Sequence, residues 1–176
     1  MQKLACEFLI YDYSRRGWID ARIVRLPTVA VRPGAPNTAL SSYASGIVRE
    51  PLNGKKSVCP VSLDFAIFIS SPAVIVGNFV HLMLIDGSRY PSWTRTCALP
   101  GISVTTQQIL DALEKVGGKK AVDLVEVSPD EKVLKIVRTW PGRWITDRAM
   151  QLGCKRDEDV LGAVQQYKAM LDSGRG

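Results

Sequence analysis

An α/β fold follows from three features of the sequence. Short apolar strand-like runs alternate with helical stretches, Gly and Pro punctuate the changes of period, and 46% apolar residues in 176 suffice for one packed core. The chain opens helically: Leu4, Phe8 and Tyr11, joined by Cys6, Leu9, Ile10 and Tyr13, form a broad apolar stripe, with no Ser, Asp or Asn before it as an N-cap. So wide a stripe on roughly 15 residues is expected to lie against a larger body, because isolated helices of that length are marginal in water. The chain is therefore read as the second half of a bigger protein. The alternative is an ordinary N-terminal helix with a frayed first turn.

After this helix Gly17 breaks the run, and Ala21 to Leu26 reads as a buried strand stopped by Pro27. Arg32-Pro33-Gly34-Ala35-Pro36-Asn37 is a loop by composition, and a helix is expected from about Ser41 to Pro51. Ser71-Pro72 opens a helix through Leu84, with proline well placed in the first turn. A strand over Thr96 to Leu99 ends at Pro100-Gly101. Thr105 with Gln108 makes a capping box for a helix over Gln107 to Val116, which Gly117-Gly118 terminates. Val122 to Val127 reads as a strand, Pro129 to Val137 as a helix, and Asp157 to Leu171 as a closing amphipathic helix before a flexible tail at 173–176.

Composition narrows the chemistry. Cys6, Cys59, Cys97 and Cys154 include no CxxC pair and His81 is the lone histidine, so neither a metal site nor a disulfide framework is signalled. Inside the apolar run Val74 to Leu84, His81 reads as a packed helix residue. The net charge of +6 comes from positives spread along the chain, without the aromatic-interleaved basic stripe that stacks bases, so no nucleic-acid partner is expected. No apolar run reaches the ~18 residues of a membrane span, and no signal-peptide pattern begins the chain, so no membrane partner and a cytoplasmic location are expected.

A collinear series of segments carries a resemblance. Gln2-Lys3, Arg25-Leu26-Pro27-Thr28, Leu99-Pro100-Gly101-Ile102-Ser103-Val104-Thr105, and Thr146-Asp147-Arg148-Ala149 with Leu152-Gly153 resemble the C-terminal half of extended short-chain dehydrogenases/reductases, the NAD-dependent epimerase/dehydratase group. Through Arg32 to Asn37, Ala44 to Leu52 and Ser70-Ser71-Pro72, the chain is most similar to the D-erythronate dehydrogenase-like branch. The fold this implies is the C-terminal part of a Rossmann-type parallel sheet plus a small, mostly helical substrate-binding region, with the nucleotide-binding half missing. Residues 1–116 would be the remainder of the Rossmann-like domain with interspersed substrate-binding segments, and 117–172 the C-terminal substrate-binding region.

The resemblance also implies roles. Lys3 is similar to the lysine of the family's Tyr-x-x-x-Lys pair, catalytic and cofactor-binding, whose Tyr would lie two positions before Met1. The glycine fingerprint that cradles the pyrophosphate occurs nowhere in the chain. NAD or NADP is thus implied for the parent, with no tight binding expected of this chain alone. Leu26, Pro27 and Thr28 would line the nicotinamide, and Thr28 also the substrate. Arg32, Asn37 and Ser41 would contact a small sugar-acid substrate, since a guanidinium grips a carboxylate through paired hydrogen bonds; they also read as ordinary loop residues, Asn37 in a turn role. Arg143, in Trp140-Pro141-Gly142-Arg143-Trp144, belongs either to a pocket wall or to a packed connection. The first helix is implied as a homo-oligomer contact. The other reading of the whole is a self-standing, non-catalytic binding or interaction module derived from this family.

Overall fold

The computed structural model describes residues 2–174, so Met1 and the end of the expected tail, residues 175–176, lie outside it. Three small sheets carry the strands. Strand β1 (Ile23–Arg25) runs parallel to β5 (Thr96–Ala98), with Ile23 opposite Thr96 and Arg25 opposite Ala98. Strand β2 (Thr28–Val29) runs parallel to β4 (Ala66–Ser70), which pairs antiparallel with β6 (Ile102–Thr105). Strand β3 (Ser57–Cys59) runs parallel to β7 (Val125–Val127). The expected strand at Val122 begins three residues late, because Lys119–Val122 form the short helix α5.

The helices start where local chemistry dictates. Helix α3 (Pro72–Leu84) begins at Pro72, with the Ser71 side chain accepting from Val74 N as its cap. Helix α4 (Thr106–Gly117) carries the full capping box of Thr105 and Gln108. Helix α2 (Tyr43–Leu52) follows a 3-10 turn at Leu40–Ser42. Helix α6 is Glu131–Val137 and α7 is Asp147–Gln151. Helix α8 (Val160–Asp172) starts later than expected from Asp157, because the Asp159 side chain accepts from Gly162 N and so sets the N-cap.

Two apolar clusters hold the chain. The larger packs α2, α4 and α8 around β4 through Ile47, Ile69, Leu113 and Val164, and it draws on residues either side of position 117. The smaller packs Ile75 and Leu82 of α3 against Cys97, Leu99 and Val24. Successive strand residues face opposite sides, so Val24 and Arg25 mark the two faces of the β1–β5 pair. Helix α3 covers the Val24 face. Helix α1 (Gln2–Arg15) lies on the other, where Glu7 grips Arg25 at 2.7 Å.

One side of this layered unit is open. Strand β1 pairs with β5 and with no other described strand. Both flanking helices expose apolar residues: Leu4, Phe8 (66%), Leu9 and Tyr13 on α1, and Val76, Phe79, Val80, Met83 and Leu84 (75%) on α3. The α3 positions recur at the i, i+3, i+4, i+7, i+8 spacing of one helical stripe. The broad apolar stripe read from the first residues is present, but it faces solvent.

A strap of polar contacts fixes the segment between α7 and α8 along α3. The Asn78 side chain donates to Lys155 O and accepts from Lys155 N, both at 2.8 Å. His81 Nε2 lies 2.8 Å from Leu152 O, which identifies it as the protonated nitrogen. Asp157 Oδ2 accepts from Ser70 Oγ at 2.9 Å and Ser71 N at 2.8 Å. Gly153 has φ +94° and sits where a Cβ would lie 2.8 Å from His81 Nε2, so a side chain there would break the strap.

Candidate functional site

Strand β1 is stopped by Pro27, which lacks an N–H for further pairing, and the chain turns at once into β2. That turn places Leu26, Pro27 and Thr28 on one wall of a cavity of about 210 Å³. Phe65, Ala66 to Phe68 of β4, and Trp140, Pro141 and Trp144 complete its lining. Trp144 stacks on Phe68 at 5.7 Å between centroids and 27° between planes. Ser103 Oγ donates to Gly142 O at 2.8 Å, so the 140–144 stretch is tied to β6. The structure thus gives this stretch both roles left open by its sequence, a packed connection and a cavity wall.

Phe68 and Trp144 also border a wider cleft of about 1020 Å³, which Arg143 lines together with Ser103, Gln108, Asp111 and Arg156. Its volume is at the upper end of the ~300–1,000 Å³ usual for small-molecule sites, and its polar lining suits a hydroxylated, charged ligand. The close approach of β4 to the β5–β6 loop depends on Gly101, where a Cβ would stand 2.5 Å from Ile69 O. The small cavity could hold a ring-sized group against an apolar wall, as the nicotinamide end of a dinucleotide requires. It is too small for the remainder, and the chain carries no glycine fingerprint for the diphosphate.

The expected site residues divide into two groups. Leu26, Pro27, Thr28 and Arg143 are brought to these adjoining cavities. Lys3, exposed on the first turn of α1, borders neither. Arg32, Asn37 and Ser41 also lie apart from both. Asn37 Oδ1 accepts from Ala39 N at 2.9 Å, which is turn chemistry. Arg32 offers its backbone, with N donating to Ser45 Oγ and O accepting from the buried Arg49, while its side chain is exposed. Arg49 owes its burial to Glu50, 2.7 Å away.

Sequence reading missed Phe68, Ser103 and Gln108 as cavity-lining residues. Phe68 stands on β4, whose run lacks the polar alternation that marks a half-buried strand; Ser103 stands on β6, where the Ile102-Ser103-Val104-Thr105 alternation spans only four residues, and Gln108 was read only as half of a capping box. The Pro100-Gly101 break before β6 was the available signal.

No protein-family model matches the chain. It is 43% identical over 166 residues to D-erythronate dehydrogenase of Haemophilus influenzae, covering 94% of this chain and 52% of the relative. It is 41% identical over 174 residues to D-erythronate dehydrogenase of Cupriavidus necator, covering 99% and 53%. The chain therefore spans about half the length of the curated relatives it matches. Among solved structures it superimposes on the nucleoside-diphosphate-sugar epimerase from Agrobacterium tumefaciens with a TM-score of 0.91 at 36% identity, over 99% of this chain and 51% of that one. L-threonine 3-dehydrogenase from Trypanosoma brucei shares the fold at a TM-score of 0.82 and 20% identity, over 98% and 53%. Matching names, near-complete coverage of this chain and a common fold converge: the chain belongs to the extended short-chain dehydrogenase/reductase (NAD-dependent epimerase/dehydratase) family.

Proposed function

We propose that the chain is the C-terminal, substrate-side portion of an NAD(P)-dependent oxidoreductase acting on a sugar acid, D-erythronate or a close analogue, and that it is inactive in isolation. One observation carries this reading: the Leu26-Pro27-Thr28 turn and the Phe68–Trp144 pair enclose a ring-sized cavity that opens beside a polar cleft large enough for a sugar acid. The chain's similarity to two D-erythronate dehydrogenases supports the substrate class. The open β1 edge and the bare stripes of α1 and α3 support the partial nature of the unit.

In this reading Leu26, Pro27 and Thr28 bound the nicotinamide end of the cofactor, and Thr28 also borders the substrate. Arg143, which lines the polar cleft, supplies the cationic contact for the substrate carboxylate, whereas Arg32, Asn37 and Ser41 border neither cavity and are given no substrate contact in this reading. NAD or NADP, when bound, supplies the hydride acceptor. Lys3 holds the ribose side and favours ionisation of the acid/base Tyr. Residues 1–116 serve as the Rossmann-like remainder and 117–172 as the substrate region. The protein works in the cytoplasm, and α1 meets its copy in a second subunit.

Orientation of an alcohol against a nicotinamide needs both the positioned acid/base and a held cofactor, and it supplies a large share of the rate. The isolated chain is therefore expected to give no NAD(P)H when incubated with D-erythronate and either cofactor. Turnover by the chain alone would overturn the proposal and leave the large cleft as a complete active site. The competing reading, a self-standing binding module, gains support if the pure chain is a stable monomer or defined oligomer that binds no NAD.

A further inference from the structure

Across the Ile145-Thr146-Asp147 stretch from the candidate site lies a separate cavity of about 570 Å³, bordered by Arg25, Arg89 and Arg148. Arg25 is already engaged by Glu7. Neither Arg89 nor Arg148 has a carboxylate partner among the described residues. Both are held by main chain instead, Arg148 Nη1 donating to Thr96 O at 2.8 Å and Arg89 Nη2 to Gln151 O at 3.4 Å. The Arg148 guanidinium lies 4.6 Å over the Trp93 ring, which orients its plane. Each guanidinium has five N–H donors, so one main-chain bond leaves most of them unused.

Two guanidiniums without carboxylate partners, Arg148 oriented by Thr96 O and Trp93 and the exposed Arg89 beside it, stand on one concave wall, the donor set that grips a carboxylate or phosphate. Asp147 is the single acid on that wall, which leaves an excess of positive charge even with Arg25 neutralised. We propose that this cavity binds a small dianion of the carboxylate or phosphate class between Arg89 and Arg148, with Trp93 as its side wall. The site is distinct from the proposed cofactor and substrate positions: Thr28 and Arg143 do not border it, and its existence does not depend on the dehydrogenase reading. The volume excludes a polymer and suits a compact metabolite.

The test is titration of the purified chain with inorganic phosphate and, separately, with malonate, at ionic strength held constant with sodium chloride. Binding is followed by calorimetry and by tryptophan fluorescence. At least one anion is expected to give a saturable signal, and which one decides between the phosphate and dicarboxylate sources. Arg89→Glu, at an exposed position, is expected to weaken binding at least tenfold while leaving the circular dichroism melt unchanged. Arg148→Lys, which keeps the charge and loses the planar fork, is expected to weaken it less. Trp93→Phe is expected to abolish the fluorescence change while calorimetric heat persists. The proposal is overturned if neither anion saturates, if Arg89→Glu binds as the parent does, or if a remote Lys119→Glu weakens binding as much as Arg89→Glu.

Discussion

Asn78 offers the sharpest test of how the fold holds the cavity walls. It is buried on α3 and mimics a strand partner, donating to Lys155 O and accepting from Lys155 N, both at 2.8 Å. Asn78→Ala removes both bonds. A net hydrogen bond contributes roughly 0.5–1.5 kcal/mol, so the pair contributes about 2 kcal/mol; Lys155 is exposed, so its main chain regains water and the loss stays near that figure. For a chain of this size that is a fall in Tm of about 4–8 °C. Urea and thermal unfolding followed by near-UV circular dichroism would measure it. Lys155→Ala is the control, since only the main chain of residue 155 takes part, and it should stay within about 0.5 kcal/mol of the parent. A loss under about 0.5 kcal/mol for Asn78→Ala would refute the claim that the strap holds the 152–157 segment onto α3.

Three further outcomes follow from the same geometry. Gly101→Ala drives a Cβ to 2.5 Å from Ile69 O, and should cost more than about 2 kcal/mol and strip the chain of its cooperative melt; a parent-like melt would show that the β5–β6 loop can yield. Burial pushes the Cys154 thiol up to about 11 and raises Cys59 and Cys97 above the ordinary 9.0. Above pH 9 the unfolded chain therefore releases thiol protons that the folded chain retains, so stability should fall as pH rises from about 9 to 11 in equilibrium urea melts, and a flat profile would contradict the burial. Phe8→Glu on the bare face of α1 should lower the self-association seen by sedimentation at rising concentration; a parent chain that is monomeric at all concentrations would refute an oligomer through this helix.

What was legible in the sequence was local. Thr105 and Gln108 announced the start of α4 because both halves of a capping box lie within four residues, and Ser71-Pro72 announced α3 in the same way. Strand β4 was not announced: Ala66 to Ser70 is buried almost throughout, so it shows no polar alternation, and only its pairing with β2 and β6 defines it. The strap was illegible because Asp157 meets Ser70 across 87 positions, and a side chain that reads as the start of a helix serves as a bridge instead. At the site, the Leu26-Pro27-Thr28 turn could be placed from Pro27 and the strand before it. Its partner wall could not, since stacking of Trp144 on Phe68 depends on tertiary approach permitted by Gly101.

The direct test of the central claim is complementation. The 176-residue chain would be co-expressed with the nucleotide-binding half of the Haemophilus influenzae D-erythronate dehydrogenase that it resembles, and NADH formation with D-erythronate followed at 340 nm. The account predicts no activity from either piece alone, and activity from the co-purified pair as the open β1 edge and the stripes of α1 and α3 become covered. Failure of the two pieces to associate, with the chain alone remaining a stable, non-aggregating monomer, would contradict it.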